Sequence, residues 1–219
     1  MSRLSSTLQW YLRRLGIACY RRQLVFYYRP PGPSSGDPAL PGDFEFRFVG
    51  AGELEALHYP GGWLRLPEAR SWLERGDREM LAAVRHGHIC SYLWVERGMA
   101  LIDYLDLDVP LPSGHVYISK VYVPPQWRRH GLASAMYRFF SSREPGVTAH
   151  SACVTENLPM HLLFSKLDWR VRLLFEAWKA GRLQRYRLEP VSGRPARSLL
   201  TTRDARVLLF SPLASAAGA

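Results

Sequence analysis

The chain has 219 residues, 47% of them hydrophobic and 22% charged, with a net charge of +10. This composition excludes wholesale disorder and describes one ordinary domain, with room for appendages, that can bury a core without covalent staples. Cys19, Cys90 and Cys153 lie far apart with no CxxC pair, which argues against a disulfide framework or a cysteine-rich zinc site and for a reducing compartment.

No apolar run reaches the ~20 residues that span a bilayer, and arginines interrupt the N-terminal apolar stretch, so no signal-peptide core is expected. The expected location is the cytoplasm, with the inner face of a membrane as a docking surface. Lys120, Lys166 and Lys179 are the only lysines among 29 basic residues. Arginine forks match phosphate geometry, which suits a phosphorylated ligand, nucleic acid or anionic lipid. Genomic base composition enriches arginine equally well without any function.

Residues 1–36 contain no Asp or Glu. Leu8, Tyr11, Leu12 and Leu15 recur at helical spacing around Arg13 and Arg14, which predicts a basic amphipathic helix. The apolar run Leu24 to Tyr28 has the length of a strand, and a Pro/Gly/Ser linker follows to Asp43. These features define a basic appendage over 1–40. A main domain is expected over 41–190 and a tail over 191–219.

Within the main domain Phe44, Phe46 and Phe48 alternate with charged residues as a half-buried strand. Residues 51–75 read as helix in pieces, broken at Pro60-Gly61-Gly62, the second piece starting at Pro67 and ending before Gly76. Two strands flanking His86-Gly87 form a hairpin, Glu79–Arg85 and Ile89–Glu96. A looser stretch, 99–112, leads to a strand over 115–123. A helix over 131–142, a strand over 147–154, a helix over 157–167 and two paired strands over 169–178 and 182–188 complete the order. The fold class is α/β with a mixed (α+β) sheet.

The informative segment is residues 116–140. A strand ends at Val123, a turn runs from Pro124 to His130, and Gly131 opens a helix. A basic turn leading into a helix N-terminus makes an anion site, since backbone N–H groups and the helix dipole both favour negative charge there. Gly131, Ala133 and Ser134 are small enough for a phosphate to approach the backbone. Neither GK[ST] nor GxGxxG is present.

Arg128-Arg129-His130-Gly131-Leu132-Ala133, standing after Val121, Val123 and Pro125, resembles the [R/Q]xxGx[G/A] pattern of the GCN5-related N-acetyltransferases (GNAT). The segment 152–170 is similar to that family's NxxAxxxYxKxGF. Asn157, Lys166 and Trp169 agree with it; Met160, Phe164 and Asp168 replace the small residue, the tyrosine and the glycine. The resemblance implies a GNAT-like fold with a central twisted mixed sheet flanked by helices. It implies acetyl-CoA as cosubstrate, with the pyrophosphate cradled by the turn and the pantetheine arm along Val121 and Val123. The cofactor set is then Val121, Val123, Arg128, Arg129, His130, Gly131, Leu132, Ala133, Ser134, Asn157 and Lys166.

Acyl transfer from a thioester to an amine needs a neutral amine, a polarised carbonyl and a protonated or stabilised thiolate. Phe164 has no proton to give where the family often has its tyrosine acid. Tyr122, Tyr117, Tyr104, His161 and Ser119 stand as candidate acids, and Glu156, His115, Asp103 and Asp106 as candidate bases; Tyr122, Glu156 and His161 are the chosen three. His86 and His88 flank a turn glycine without a supporting carboxylate or cysteine cluster, so no metal is expected. Most of the tryptophans read as core or sheet-face packing.

The expected activity is transfer of acetyl from acetyl-CoA to a primary amine of a small molecule such as an amino sugar or amino acid. Residues 1–30 are expected to dock on a membrane surface, a protein partner or a second copy in a homodimer; nucleic acid is not an expected partner. The rival readings are a GNAT-like CoA binder without catalysis, and a basic protein of membrane or nucleic-acid surfaces.

Overall fold

The computed structural model describes residues 19–32, 42–105, 107–167, 169–180, 183–190 and 199–200. Its strands are β1 (Cys19–Arg29), β2 (Glu45–Val49), β3 (Arg78–Arg85), β4 (His88–Arg97), β5 (Met99–Ile102), β6 (Leu107–Pro110), β7 (His115–Tyr122), β8 (Thr148–Val154), β9 (Arg170–Ala180), β10 (Leu183–Pro190) and β11 (Leu199–Leu200). Its helices are α1 (Ala51–Ala56), α2 (Leu66–Arg75), α3 (Leu132–Arg143) and α4 (Leu158–Lys166). Among the described residues the main sheet has nine strands in the order β11-β10-β9-β1-β8-β7-β4-β3-β2, and β5 and β6 form a separate hairpin.

The expected main-domain elements form within a residue or two of their predicted limits. The β5–β6 hairpin was not foreseen in the looser stretch 99–112. It lays Ala100, Ile102, Leu107 and Val109 on one face of the main sheet, against Leu24, Phe26, Tyr117 and Phe175. Helices α3 and α4 cover the opposite face, where Leu132, Met136, Phe140 and Phe164 pack with Val25, Tyr27, Val116 and Ile118. Helices α1 and α2 cover β3 and β4 through Leu54, Ala69, Met80 and Trp94.

The boundary at residue 40 is corrected by β1. Cys19–Arg29 pairs antiparallel with β8 on one side and β9 on the other. Leu24, Val25, Phe26 and Tyr27 are all buried, facing the two layers alternately. A strand covered on both faces carries an unbroken apolar run rather than an alternating one, and Leu24 to Tyr28 is such a run. The segment therefore belongs to the sheet and is not free to dock elsewhere. The predicted helix around Leu8–Leu15 lies outside the described residues, as does most of the 191–219 tail, from which Leu199–Leu200 pairs with β10.

The ladder between β7 and β8, the one parallel pairing of the main sheet among the described residues, stops after Tyr117 and His150. Ser151 Oγ still donates to the Ile118 carbonyl at 2.8 Å. Beyond that bond cavities open between the strands, while β1 continues to hold β8 as far as Val154. On its other side β7 pairs with β4 through a register shift, and Lys120 sits there at φ 46°. This bulge re-aims the end of β7.

At the base of the divide His115 Nδ1 and His150 Nε2 lie 2.9 Å apart with the rings stacked. Burial, Arg172 and His115 push the His150 imidazole down to about 3, against roughly 6.5 in an unfolded chain. Between those values the unfolded chain holds the extra proton, so this contribution to stability is complete above pH 6.5 and is lost as pH falls toward 3. Urea unfolding is expected to show the wild type losing up to about 1.4 kcal/mol per pH unit from this group between pH 6 and pH 4. His150→Gln should flatten that dependence, and equal slopes in the two proteins would refute the assignment.

Candidate active site

The end of β7, the turn after it and α3 form one continuous wall. A short 3-10 turn, Pro125–Trp127, follows β7, and Arg129 (φ 67°) and Gly131 (φ 75°) are both left-handed. Gly131 is the N-cap of α3, and its carbonyl accepts from Ala135 N–H at 3.0 Å and Ser134 Oγ at 2.8 Å. The first N–H groups of a helix have no intrahelical partner, so those of the α3 first turn are available to an anion. No acidic residue stands in that turn, and the exposed Arg128 and Arg129 precede it.

A cleft of about 950 Å³ opens on this wall. Val121, Val123, Arg128, Arg129, Gly131, Leu132, Ala133, Ser134 and Asn157, all in the expected cofactor set, line it. His130 and Lys166 do not: His130 is exposed beside the Arg128 carbonyl, 3.0 Å from Nδ1, and Lys166 is exposed in the last turn of α4. Asn157 caps α4 as expected, accepting from Met160 N–H at 3.3 Å.

A smaller cavity of about 100 Å³ lies between the diverging β7 and β8, and Trp63, Val121, Asn157 and Met160 line both spaces. Most of the tryptophans were expected to pack in the core or on a sheet face, and Trp63 does not follow that expectation. It is instead 56% exposed, and its indole N–H donates to the Val121 carbonyl at 3.0 Å. Its loop needs Gly62, at φ 102°, because a Cβ there would meet Tyr92 Oη at 2.7 Å and the Tyr122 ring at 2.8 Å.

The three chosen catalytic residues are not brought together. Tyr122 lines the large cleft, with its ring against Tyr92. Glu156 is exposed in the turn before α4 and lines neither space. His161 turns away toward β1, where its Nδ1 accepts from the Tyr27 hydroxyl at 2.6 Å and its Nε2 donates to the Thr155 carbonyl at 3.1 Å. Phe164 is fully buried in an aromatic nest of Tyr27, Tyr137 and Trp169, with ring centroids 4.5, 5.5 and 4.9 Å away.

Among the other candidates, Asp103, Tyr104, Tyr117 and Ser119 line the small cavity. Burial, Glu96 and neighbouring acidic groups hold the Tyr117 phenol well above its ordinary range. Asp103 is ion-paired with Lys120. His115 lies at the base of the divide, and Asp106 lies outside the described residues. Among the described residues no three His, Cys, Asp or Glu side chains converge as metal ligands, and no helix is long and apolar enough to cross a membrane.

Sequence reasoning missed Glu96. It is 0% exposed near the end of β4. Its Oε1 accepts from the Ser119 hydroxyl, its Oε2 accepts from Leu101 N–H at 2.7 Å, and Arg78 Nε stands 3.6 Å away. Burial pushes its carboxyl above the usual range, against the Leu101, Ser119 and Arg78 contacts that favour the charged form. The available signal was a carboxylate ending the otherwise uncharged run from Ile89 to Val95.

No curated protein matches the chain in sequence. A GNAT-family protein from Novosphingobium aromaticivorans is similar in structure, with a TM-score of 0.51 at 18% identity, over 77% of this chain and 68% of that one. A conserved Staphylococcus epidermidis protein of unknown function matches with a TM-score of 0.51 at 10% identity, over 83% and 69%. A Drosophila protein matches at 0.50 and 17%, over 77% of this chain but 54% of its own. These likenesses concern the fold. Residues 50–169, more than half of the sequence, match the acetyltransferase (GNAT) family, and the strand, turn and helix that carry the motif are the ones that build the cleft. The chain belongs to the acetyltransferase (GNAT) family.

Proposed function

We propose that the protein transfers an acyl group, acetyl by default, from acetyl-CoA to the primary amine of a small molecule. The observation that carries this reading is the continuity of the two spaces. A large cleft with an acid-free helix N-terminus at one end shares four lining residues with a small cavity of about 100 Å³. In this reading the pyrophosphate meets the first turn of α3 and Arg128, and the pantetheine arm follows the end of β7. The thioester reaches the shared walls and the amine enters from the small cavity.

The chemistry sets the order of difficulty. A thiol has a reference pKa of roughly 8.5, so the thiolate departs near neutrality with modest help, whereas an alkyl amine near 10.4 arrives protonated. A tyrosine at position 164 is therefore not required for turnover, in keeping with Phe164 packing in the core. Thiol release from acetyl-CoA is expected with at least one member of a panel of primary amines, rising with pH as the amine deprotonates. Calorimetric binding of acetyl-CoA with no thiol release from any amine would favour a binder without catalysis. Salt-dependent binding to DNA or anionic vesicles with no CoA affinity would overturn the reading altogether.

A further inference from the structure

We propose that Ser119 and Glu96 take the proton from the acceptor amine, the ammonium giving its proton to the Ser119 hydroxyl oxygen as Ser119 passes its own to Glu96. Ser119 is the group that meets the amine, and Glu96 acts through it. The inference rests on the acyl-transfer reading above.

The Ser119–Glu96 contact on the wall of the small cavity carries the argument. Asp103 is engaged in an ion pair with Lys120. The Tyr117 phenol is held protonated by burial and by Glu96. Burial pushes the Cys153 thiol up to about 12, so it too stays neutral near pH 7. Ser119 lines the same cavity, and its hydroxyl is hydrogen-bonded to a carboxylate that has no solvent exposure.

Packing alone gives no reason for that carboxylate. Burying an ionised group costs several kcal/mol, and an apolar residue of similar volume is often equally stable. β4 supplies such residues at Leu93, Trp94 and Val95, all buried. The groups facing Glu96 are Arg78 from β3, Tyr117 and Ser119 from β7, and the Leu101 amide and Asp103 from β5 and its following turn, with Lys120 balancing Asp103. Burial outweighs the Leu101, Ser119 and Arg78 contacts and leaves the carboxyl above its ordinary range, nearer the pH at which a general base is most effective.

The proton count closes. The ammonium loses one proton through Ser119 to Glu96, and its lone pair forms the C–N bond at the thioester carbonyl carbon. The C–S bond breaks with its electron pair on sulfur. A second N–H proton leaves the nitrogen for water as the amide forms, and the thiolate takes up one proton from solvent to end as a thiol, so that one proton is released in net. The proton on Glu96 returns to water.

The test uses the full chain, acetyl-CoA and whichever panel amine the wild type turns over fastest, from pH 6.5 to 9.5. Glu96→Gln and Ser119→Ala should each lower kcat about 100-fold at pH 7, with the KM for acetyl-CoA within about twofold of wild type. The deficit should shrink toward pH 9, because free amine from solution then needs no base. Ser119→Thr, which keeps the hydroxyl, should stay within about tenfold of wild type. Folded Glu96→Gln and Ser119→Ala variants with unchanged kcat would overturn the proposal, as would a deficit of the same size at every pH, which marks a structural role. If Glu96→Gln fails to fold, Ser119→Ala decides. A wild type that releases no thiol with any amine overturns the acyl-transfer reading and this proposal with it; normal wild-type turnover with unaffected variants overturns this proposal alone.

Discussion

A chain beginning at residue 41 is expected not to fold. It lacks β1, which pairs along both edges with β8 and β9 and buries Leu24, Val25, Phe26 and Tyr27. Burying one large apolar side chain contributes about 1.5–3 kcal/mol. Four of them approach the ~5–15 kcal/mol that separates a typical native state from its unfolded ensemble. The deletion also strips two ladders of backbone partners, and the exposed edges invite aggregation. Circular dichroism and size-exclusion chromatography should show loss of cooperative unfolding and of the monodisperse species. A soluble 41–219 fragment that unfolds cooperatively and binds acetyl-CoA would show that β1 is dispensable.

The second large effect is at Gly131. At φ 75° any other residue carries backbone strain of about 1–2 kcal/mol, too little to unfold a domain of ordinary stability. Gly131→Glu would add a carboxylate at the mouth of the anion site, where the first-turn N–H groups of α3 and the helix dipole would hold it. Acetyl-CoA affinity is expected to fall about 100-fold, or ~2.7 kcal/mol. Gly131→Ala carries the same strain without the charge, so it should lose far less. Calorimetry giving equal affinities for wild type and Gly131→Glu would remove the cleft from acyl-CoA binding.

The parts of the site that could be read in the sequence are the local ones. Val121 to Ser134 announces itself because strand, turn and helix N-terminus are consecutive, and the left-handed N-cap of the helix falls on a glycine, Gly131. Asn157 was legible as a cap for the same reason. The β5–β6 hairpin was missed because Asp103, Pro110 and Pro112 obscure its alternation. β1 looked like an appendage because arginines and a Pro-rich linker flank its apolar run, and only its partners at 149–154 and 170–180 show that it is covered on both sides. Glu96 and His161 depend on distance in space rather than in sequence. Glu96 meets Ser119 across two strands, and His161 is drawn off the cavity wall by Tyr27, 134 positions earlier.

The placement of β1 also sets a timetable. Its residues are synthesised well before both of its neighbours, since the two strands that flank it are complete only at Val154 and Ala180. At ~5–20 residues per second, the last of them is synthesised roughly 8–30 s after Arg29. Until Val154 is made, roughly 6–25 s after Arg29 at the same rate, that apolar segment has no complete neighbour to pair with. A strand made before both of its neighbours is seated late, so this segment has to be kept from premature contacts until residues more than a hundred positions later are made.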